Sequence, residues 1–252
     1  MVSRAQLLST LDNLLNPKIY QDYGPNGLQV EGKDKIQKIV TGVTASEALI
    51  LAAIENKADA LLVHHGLFWR GQDGCIKGWM RKRLALLLEH NINLFAYHLP
   101  LDGHETLGNN AQLGLELGIP VNIRFGEQKL GFMGSCQLPS SEELVQLIQQ
   151  KISSKITVVG PVVNALPGQS LQVAWCSGGA QSYFEPAIAQ SAQVFITGEI
   201  SEPQLHYANE MGVCFIACGH HASERFGVQA VGRYVATELG LEHQFIDIFN
   251  PA

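Results

Sequence analysis

The segment Leu61-Leu62-Val63-His64-His65-Gly66-Leu67-Phe68-Trp69 joins an apolar run to two adjacent histidines and a glycine. A short apolar run that ends at such a break is typical of a buried strand in an α/β sheet. Ligands of these sheets gather at the carboxyl ends of the strands. Adjacent side chains of a strand point to opposite faces, so the two histidines would share one metal ion only if the strand ends before them. Otherwise they serve two different ions, one of them is structural, or the pair is a coincidence within a loop.

The composition is that of a soluble globular protein with one large or two medium domains. The chain has 252 residues, of which 46% are hydrophobic and 16% charged. The net charge of −6 argues against a general attraction to nucleic acid or to anionic membranes. No apolar run has the length of a signal peptide or of a membrane span, so we expect a cytoplasmic protein. The five cysteines lack paired spacing, which predicts reduced thiols.

Strands and helices alternate in the first half of the chain. The pattern predicts strands over 36–43, 59–63 and 92–97, with helices between them, and a helix over 106–118. The rhythm then breaks, and residues 130–138 have the pattern of an edge strand or a hairpin.

The second half repeats the first. Residues 58–63 align without a gap with residues 192–197, a shift of 134 positions (from 58 to 192). Past an extra loop at about Arg70 to Arg81 the shift is 122 (from 98 to 220), which places His98-x-x-x-Asp102 on His220-x-x-x-Glu224. We interpret this as an internal duplication that gives two similar three-layer α/β lobes, 1–124 and 125–252. The last strand could cross back to the first lobe. Convergence on a common βαβ pattern is the alternative.

Metal-binding side chains follow several of the predicted strands. They are His64 and His65, His98 and Asp102, His220 and Glu224, and also Glu199. Imidazole nitrogen and carboxylate oxygen are ligands that first-row divalent ions favour. The set suffices for two ions if one carboxylate bridges them, and two close ions can activate a water molecule. The sequence therefore predicts a dinuclear site in a cleft between the lobes.

Six motifs of the chain carry a resemblance to a known family. They are Leu28-Gln-Val-Glu-Gly32, His64-His-Gly66, His98-Leu-Pro-Leu-Asp102, Asn109-Asn110, Ile196-Thr-Gly-Glu199 and Gly219-His-His-Ala-Ser-Glu224. These motifs resemble the YbgI-type family, which is also called NGG-interacting-factor-three-like and whose members are labelled GTP cyclohydrolase I type 2 homologs. The resemblance covers essentially the whole chain.

The resemblance implies two intertwined α/β lobes, a dinuclear metal centre and a toroidal homohexamer. It also implies the metal ligands His64, His65, Asp102, His220 and Glu224, with Glu224 as the bridge and His98 among the ligands or next to them. The ions could be Zn, Fe, Mn, Co or Ni.

Hydrolysis is the leading functional hypothesis. Water activated at the ions would attack an electrophilic carbon of a purine nucleotide, or of a related C–N bond, while His98 or Glu199 moves the proton. The chain has no P-loop, so a triphosphate would depend on scattered cations such as Lys77, Arg81, Lys82 and Arg83, which could equally be a solvated helix face. The alternative is a non-catalytic metal carrier or hexameric scaffold. Nucleic-acid binding through the ring would need positive residues to line its hole.

Overall fold

The computed structural model describes every residue from Met1 to Ala252. Its strands are β1 (Val2–Ser3), β2 (Gly27–Val30), β3 (Lys35–Ile36), β4 (Lys38–Thr44), β5 (Ala60–His65), β6 (Asn93–Ala96), β7 (Val121–Phe125), β8 (Gly131–Cys136), β9 (Thr157–Val159), β10 (Leu171–Trp175), β11 (Val194–Thr197), β12 (Cys214–Ala217) and β13 (Glu242–Phe245). Its α-helices are α1 (Arg4–Leu15), α2 (Glu47–Glu55), α3 (Gly78–Glu89), α4 (Leu99–Gly103), α5 (Asn109–Glu116), α6 (Ser141–Lys151), α7 (Phe184–Ala189), α8 (Glu202–Met211), α9 (His220–Ser223) and α10 (Arg225–Leu239). This is the mixed α/β class that the sequence predicts.

The chain divides into two compact units. The first unit comprises Met1–Gly108 and Gly227–Phe249, and the second comprises Asn109–Phe226 and Asn250–Ala252. The boundary predicted between residues 124 and 125 falls inside β7, which pairs with β8 of the second unit. The second unit begins earlier, at α5, because Leu113 of that helix packs into its core.

The first unit is built on a five-stranded sheet of order β13-β4-β5-β6-β2. Its first four strands run parallel, and β2 pairs antiparallel with β6. Leu61 and Val63 pack on one face with α2 and α3, whereas Ala60 and Leu62 pack on the other face with α1 and α10. The alternation of β5 side chains therefore gives this unit three layers.

The second unit is built on a six-stranded sheet of order β7-β8-β10-β11-β12-β9. Its three central strands, β10, β11 and β12, run parallel, and the other three pair antiparallel. Residues 130–138 form the predicted hairpin, as β8 with β7, but not an edge strand, because β10 pairs with the other side of β8. Helices α5 and α6 pack on one face, and a cluster of Phe184, Phe195 and Phe215 covers the other.

The strand registers of the two units agree closely with the predicted repeat. Ile39 pairs with Ala60 in the first sheet, and Val173 pairs with Val194 in the second, which is the shift of 134 (from 39 to 173). The third strands align with a shift of 121 (from 93 to 214). The predicted shift of 122 holds at the histidines because one residue more separates β12 from His220 than separates β6 from His98. The duplication itself stays a prediction.

Two further elements differ from their predicted bounds. Strand β5 continues through His65 rather than ending at Val63, and α5 begins at Asn109 rather than at Thr106. None of the helices combines the length and the apolar character that crossing a lipid bilayer requires.

Candidate metal centre

His64 and His65 are the last two residues of β5. His64 is fully buried, and its Nδ1 lies 3.1 Å from the carbonyl oxygen of Tyr97. His65 Nδ1 lies 3.1 Å from the hydroxyl oxygen of Thr44. Although the strand includes both residues, their rings lie side by side, with 4.5 Å between centroids. Because Nδ1 is hydrogen-bonded in both rings, Nε2 is the nitrogen that each can offer to an ion.

His98 is held by a buried carboxylate. Its Nδ1 lies 2.7 Å from Oδ1 of Asp22, whose side chain is only 3% exposed. Asp22 also accepts hydrogen bonds from the Asn26 amide and from the backbone N–H of Leu99, both at 2.9 Å. Burial tends to raise the pKa of Asp22, but the hydrogen bond and charge interaction with His98, together with the other donors, outweigh it and lower that pKa. An ionised Asp22 therefore fixes the ring of His98.

The three histidines of the first unit form one cluster. The ligand atoms that His64, His65 and His98 can offer all lie within 4.8 Å of one another. The ring of Trp69 packs against His98 edge-on, with 5.0 Å between centroids and 89° between planes. The structure thus brings His98, predicted to move a proton, into the same group as two predicted ligands.

Asp102 completes this group from helix α4. Pro100 occupies the first turn of the helix, where its missing N–H is not needed. Asp102 is 7% exposed, and its Oδ1 lies 3.5 Å from Nε2 of His64. The carboxylate therefore faces the nitrogen that His64 can offer to an ion.

The second unit has its own set of predicted site residues. His220 Nε2 lies 3.3 Å from Oε1 of Glu224, and His220 Nδ1 lies 2.6 Å from Oε1 of Glu199. Burial disfavours the charged imidazole, but the two carboxylates outweigh it and raise the pKa of His220 to about 9. A divalent ion at His220 would therefore compete with a proton.

The loop after β10 lies against Glu224. A Cβ on Gly178 would collide with Oε1 of Glu224, and the φ of +69° at this residue also favours glycine. The Gly178 N–H donates to the hydroxyl of Ser223 at 2.9 Å, and the Ser177 N–H donates to the side chain of Asn110 at 2.7 Å. These bonds hold the backbone close to the carboxylate of Glu224, where only a residue without a side chain fits.

Comparison with known proteins assigns the family. The model of Duf34/NIF3 (NGG1p interacting factor 3) matches residues 2–251. The chain belongs to this family. A Neisseria meningitidis protein named GTP cyclohydrolase 1 type 2 homolog is 49% identical over 254 residues, covering 100% of both chains. A Yersinia pestis protein of the same name is 46% identical over 249 residues, covering 98% of both. The solved structure of protein ybgI, described as of unknown function, has a TM-score of 0.92 and 44% identity, covering 100% of both chains.

The side chains of this Duf34/NIF3 protein fit divalent metal ions. Each of the four histidines has its Nδ1 hydrogen-bonded to a carbonyl, hydroxyl or carboxylate oxygen, an arrangement typical of metal ligands. Two ligand atoms about 2.1 Å from one tetrahedral ion lie roughly 3.4 Å apart. The Nε2-to-carboxylate distances of 3.5 Å at His64 and 3.3 Å at His220 match that spacing.

The groups that orient His64, His65 and His98 were missed by the sequence analysis, whereas Glu199, which bonds to His220, was among the predicted site residues. Asp22 and Asn26 lie in a loop far from His98 in the chain, and only their polar character in a Gly- and Pro-rich segment signals a role. Thr44 bonds to His65 across two strands. Tyr97 orients His64 through its backbone carbonyl oxygen, and a backbone contact leaves no pattern of side chains in the sequence. In the Duf34/NIF3 chain these contacts become visible only once the strands are placed.

Proposed function

We propose that the protein is a dinuclear-metal-dependent hydrolase that acts on a purine nucleotide or a related C–N bond. The observation that carries the proposal is the cluster of His64, His65 and His98, whose ligand atoms lie within 4.8 Å of one another while each Nδ1 is hydrogen-bonded to an oxygen. The name of the Neisseria and Yersinia relatives, GTP cyclohydrolase 1 type 2 homolog, agrees with this reaction class.

In this proposal the ligands of both units serve one centre in the cleft between two intertwined lobes. They are His64, His65, Asp102, His220 and Glu224, and Glu224 bridges. Two bound ions, whether Zn, Fe, Mn, Co or Ni, would supply an activated water molecule and stabilise negative charge that develops on the substrate. The fully buried His64 and the 2% exposed Glu224 keep bulk water away from their side of the site.

His98 and Glu199 are the proposed catalytic residues. Asp22 holds Nδ1 of His98 at 2.7 Å, so Nε2 is the atom that exchanges a proton with substrate or water. Glu199 binds His220 with one oxygen, and its side chain is 43% exposed, so its second oxygen can reach solvent or a leaving group. A site that only stores metal needs no group that transfers a proton, whereas this site offers two such side chains.

The test is a metal-dependent screen of nucleotides and small amides with wild-type protein, His98→Ala and Glu199→Gln. Each assay is run at saturating metal, with metal content measured on the same samples. We expect turnover in wild type and a loss of at least about 100-fold in each variant at unchanged occupancy. Absence of any turnover in wild type would leave a metal carrier or hexameric scaffold as the function, and full activity in both variants would remove the catalytic roles of His98 and Glu199.

The assembly and the location are also proposals. We expect a toroidal homohexamer in the cytoplasm, without membrane or nucleic-acid partners. Light scattering at micromolar concentration tests the assembly, and the mass of a monomer would exclude it.

A further inference from the structure

The two units differ most in the loop that follows their second parallel strand. In the first unit residues 66–77 connect β5 to α3, whereas in the second unit residues 198–201 connect β11 to α8. We call residues 66–77 the insert. It follows His64 and His65 directly, so any pocket that it forms lies beside the histidine cluster.

The insert and the start of α3 line a cavity of about 220 Å³ that is partly open to solvent. Its walls are largely apolar and include Phe68, Ile76, Trp79 and Met80, while Asp73 and Lys77 are polar members of the lining. Trp79 is 53% exposed and Ile76 is 62% exposed, so both side chains can be reached by a molecule from solvent. The cavity is smaller than a typical site for a whole drug-sized ligand, roughly 300–1,000 Å³, so it suits one ring of a larger molecule.

Phe68 joins this cavity to the histidine cluster. The same side chain lines a second, small space whose other walls include Trp69, His64 and His98. The near end of the insert is fixed, because the Leu67 N–H donates to Gln29 at 2.8 Å and the Arg70 N–H donates to the Tyr23 carbonyl at 2.6 Å. A molecule with one part in the cavity could therefore reach the histidines only by extending past Phe68.

The charges around the cavity favour an anionic ligand. Lys77, Arg81 and Lys82 are exposed at the start of α3, in a chain whose net charge is −6. Lys77 forms an ion pair with Asp73 at 2.7 Å, but both side chains are more than half exposed, so this pair holds the lysine only weakly. The Arg83 guanidinium stacks on the ring of Trp79 at 4.8 Å and orients the indole.

We propose that this cavity binds the planar heteroaromatic ring of an anionic small molecule of the nucleotide class and holds it beside the histidines. The proposal rests on the proposed function, since it names where the ring of that substrate sits. Aromatic walls stack on either face of a flat ring, and the cations of α3 attract its phosphate.

Cys75 provides a direct probe of occupancy. It lines the cavity and is exposed, whereas the other four cysteines are buried. Iodoacetamide should therefore alkylate Cys75 of the native full-length protein selectively, and Cys75→Ser gives the background. We expect GMP to slow this alkylation several-fold, and ribose 5-phosphate, which lacks the ring, to leave it unchanged. Equal rates with and without GMP at millimolar concentration would overturn the proposal.

Variants of Trp79 test the aromatic wall. We expect Trp79→Ala to raise the Kd for GMP by about tenfold or more, and Trp79→Phe to restore most of the affinity. Leu88→Ala is the matched control, because Leu88 is 59% exposed on the same helix but outside the cavity. Metal content should be the same in all four proteins, since none of these residues contacts a proposed ligand.

The outcomes separate this proposal from the proposed function. GMP binding that depends on Trp79, without turnover in wild type, supports the cavity and removes the hydrolase. Metal-dependent turnover with GMP binding that is insensitive to Trp79→Ala supports the hydrolase and overturns the cavity.

Discussion

The central strands and turns of the two units have similar backbone conformations, but the side chains at their strand ends differ. In both, the turn before the second parallel strand uses a residue with positive φ, Lys57 at 55° and Ser191 at 63°, which are 134 positions apart (from 57 to 191). The turn before the third strand does the same with Asn91 at 52° and Gly212 at 67°. Even a rare backbone conformation therefore recurs at the equivalent place.

The residues at the strand ends, by contrast, differ between the two units. His64 and His65 correspond to Gly198 and Glu199, and Thr44, which bonds to His65, corresponds to Gly178. The first unit thus offers three histidines and an aspartate, while the second offers one histidine and two glutamates. The comparison indicates that the turn conformations are needed for the fold of both units. The residues at the strand ends are not, so they can differ with the function of each site.

The largest expected effect is on metal content. Glu224→Ala should lose both ions because this residue is the proposed bridge, while Asp102→Ala should lose mainly one. Elemental analysis of protein prepared without chelators measures both. The control is His206→Ala, because His206 is an exposed histidine that pairs only with the neighbouring Glu202 at 3.1 Å. Equal metal content in Glu224→Ala and wild type would remove the bridging role.

The next effect compares the carboxylates that hold Nδ1 of His98 and of His220. Glu199→Gln should weaken metal affinity about 10-fold, since Glu199 orients His220, a proposed ligand. Asp22→Asn should change metal affinity less and lower turnover instead, since it loosens His98, the proposed proton-transfer group, which is not a proposed ligand. Competition with a chromophoric chelator gives the affinities, and the reverse order would contradict this ranking.

A smaller effect concerns Gly178 and its counterpart Thr44. Gly178→Ala should lower the free energy of unfolding by about 1–2 kcal/mol for its left-handed backbone alone, and displacement of Glu224 adds to that cost. Thr44→Ala removes one hydrogen bond to His65, which is worth about 1 kcal/mol. Urea unfolding compares the two variants. If Gly178→Ala proved no more costly than Thr44→Ala, the close approach to Glu224 would be unimportant for stability.

The smallest effect distinguishes Asp59 from the equivalent Gln193, which lies 134 positions later (from 59 to 193). Asp59 accepts from the N–H of Lys38 at 3.1 Å, and Gln193 accepts from the N–H of Gln172 at 2.9 Å. Burial raises the pKa of Asp59, but its bonds to Lys33 and to the backbone outweigh burial and lower that pKa. Its ionic contribution is therefore complete above its ordinary value of 3.8 and is lost as the pH falls through the folded-state pKa.

Urea unfolding over a pH series tests this difference. Asp59→Asn should cost about 1 kcal/mol at neutral pH, and the cost should shrink below pH 3.8. The cost of Gln193→Ala should stay constant, because an amide does not titrate in this range. A pH-independent cost of Asp59→Asn would show that the charge contributes nothing.

The sequence predicts the parallel strands well because each strand is a local apolar run. The repeat then supports the same strands in both halves of the chain. The sequence also singles out His64, His65, His98 and Asp102, which the structure brings together in the first unit, because each lies at the end of such a strand or just after it. It misses what depends on distant contacts. The bond from His98 to Asp22 joins a strand end to a loop 76 residues earlier in the chain.

The predicted boundary at residue 124 shows a second limit. The break in the strand–helix rhythm after the predicted helix 106–118 has no bearing on which core that helix joins. That choice depends on where Leu113 finds apolar neighbours, and these come from strands more than fifty residues later, such as β10 and β11.

The discontinuous first unit has a consequence for biosynthesis. Its edge strand β13 and most of α10 follow the whole of residues 109–226 in the chain. During translation residues 109–226, which contain the whole sheet of the second unit, therefore emerge while β4 still lacks its neighbour β13. Domains generally form in the order in which they leave the ribosome. Here the sheet that starts first is completed last, and until then the edge of β4 is exposed to pairing with other nascent chains.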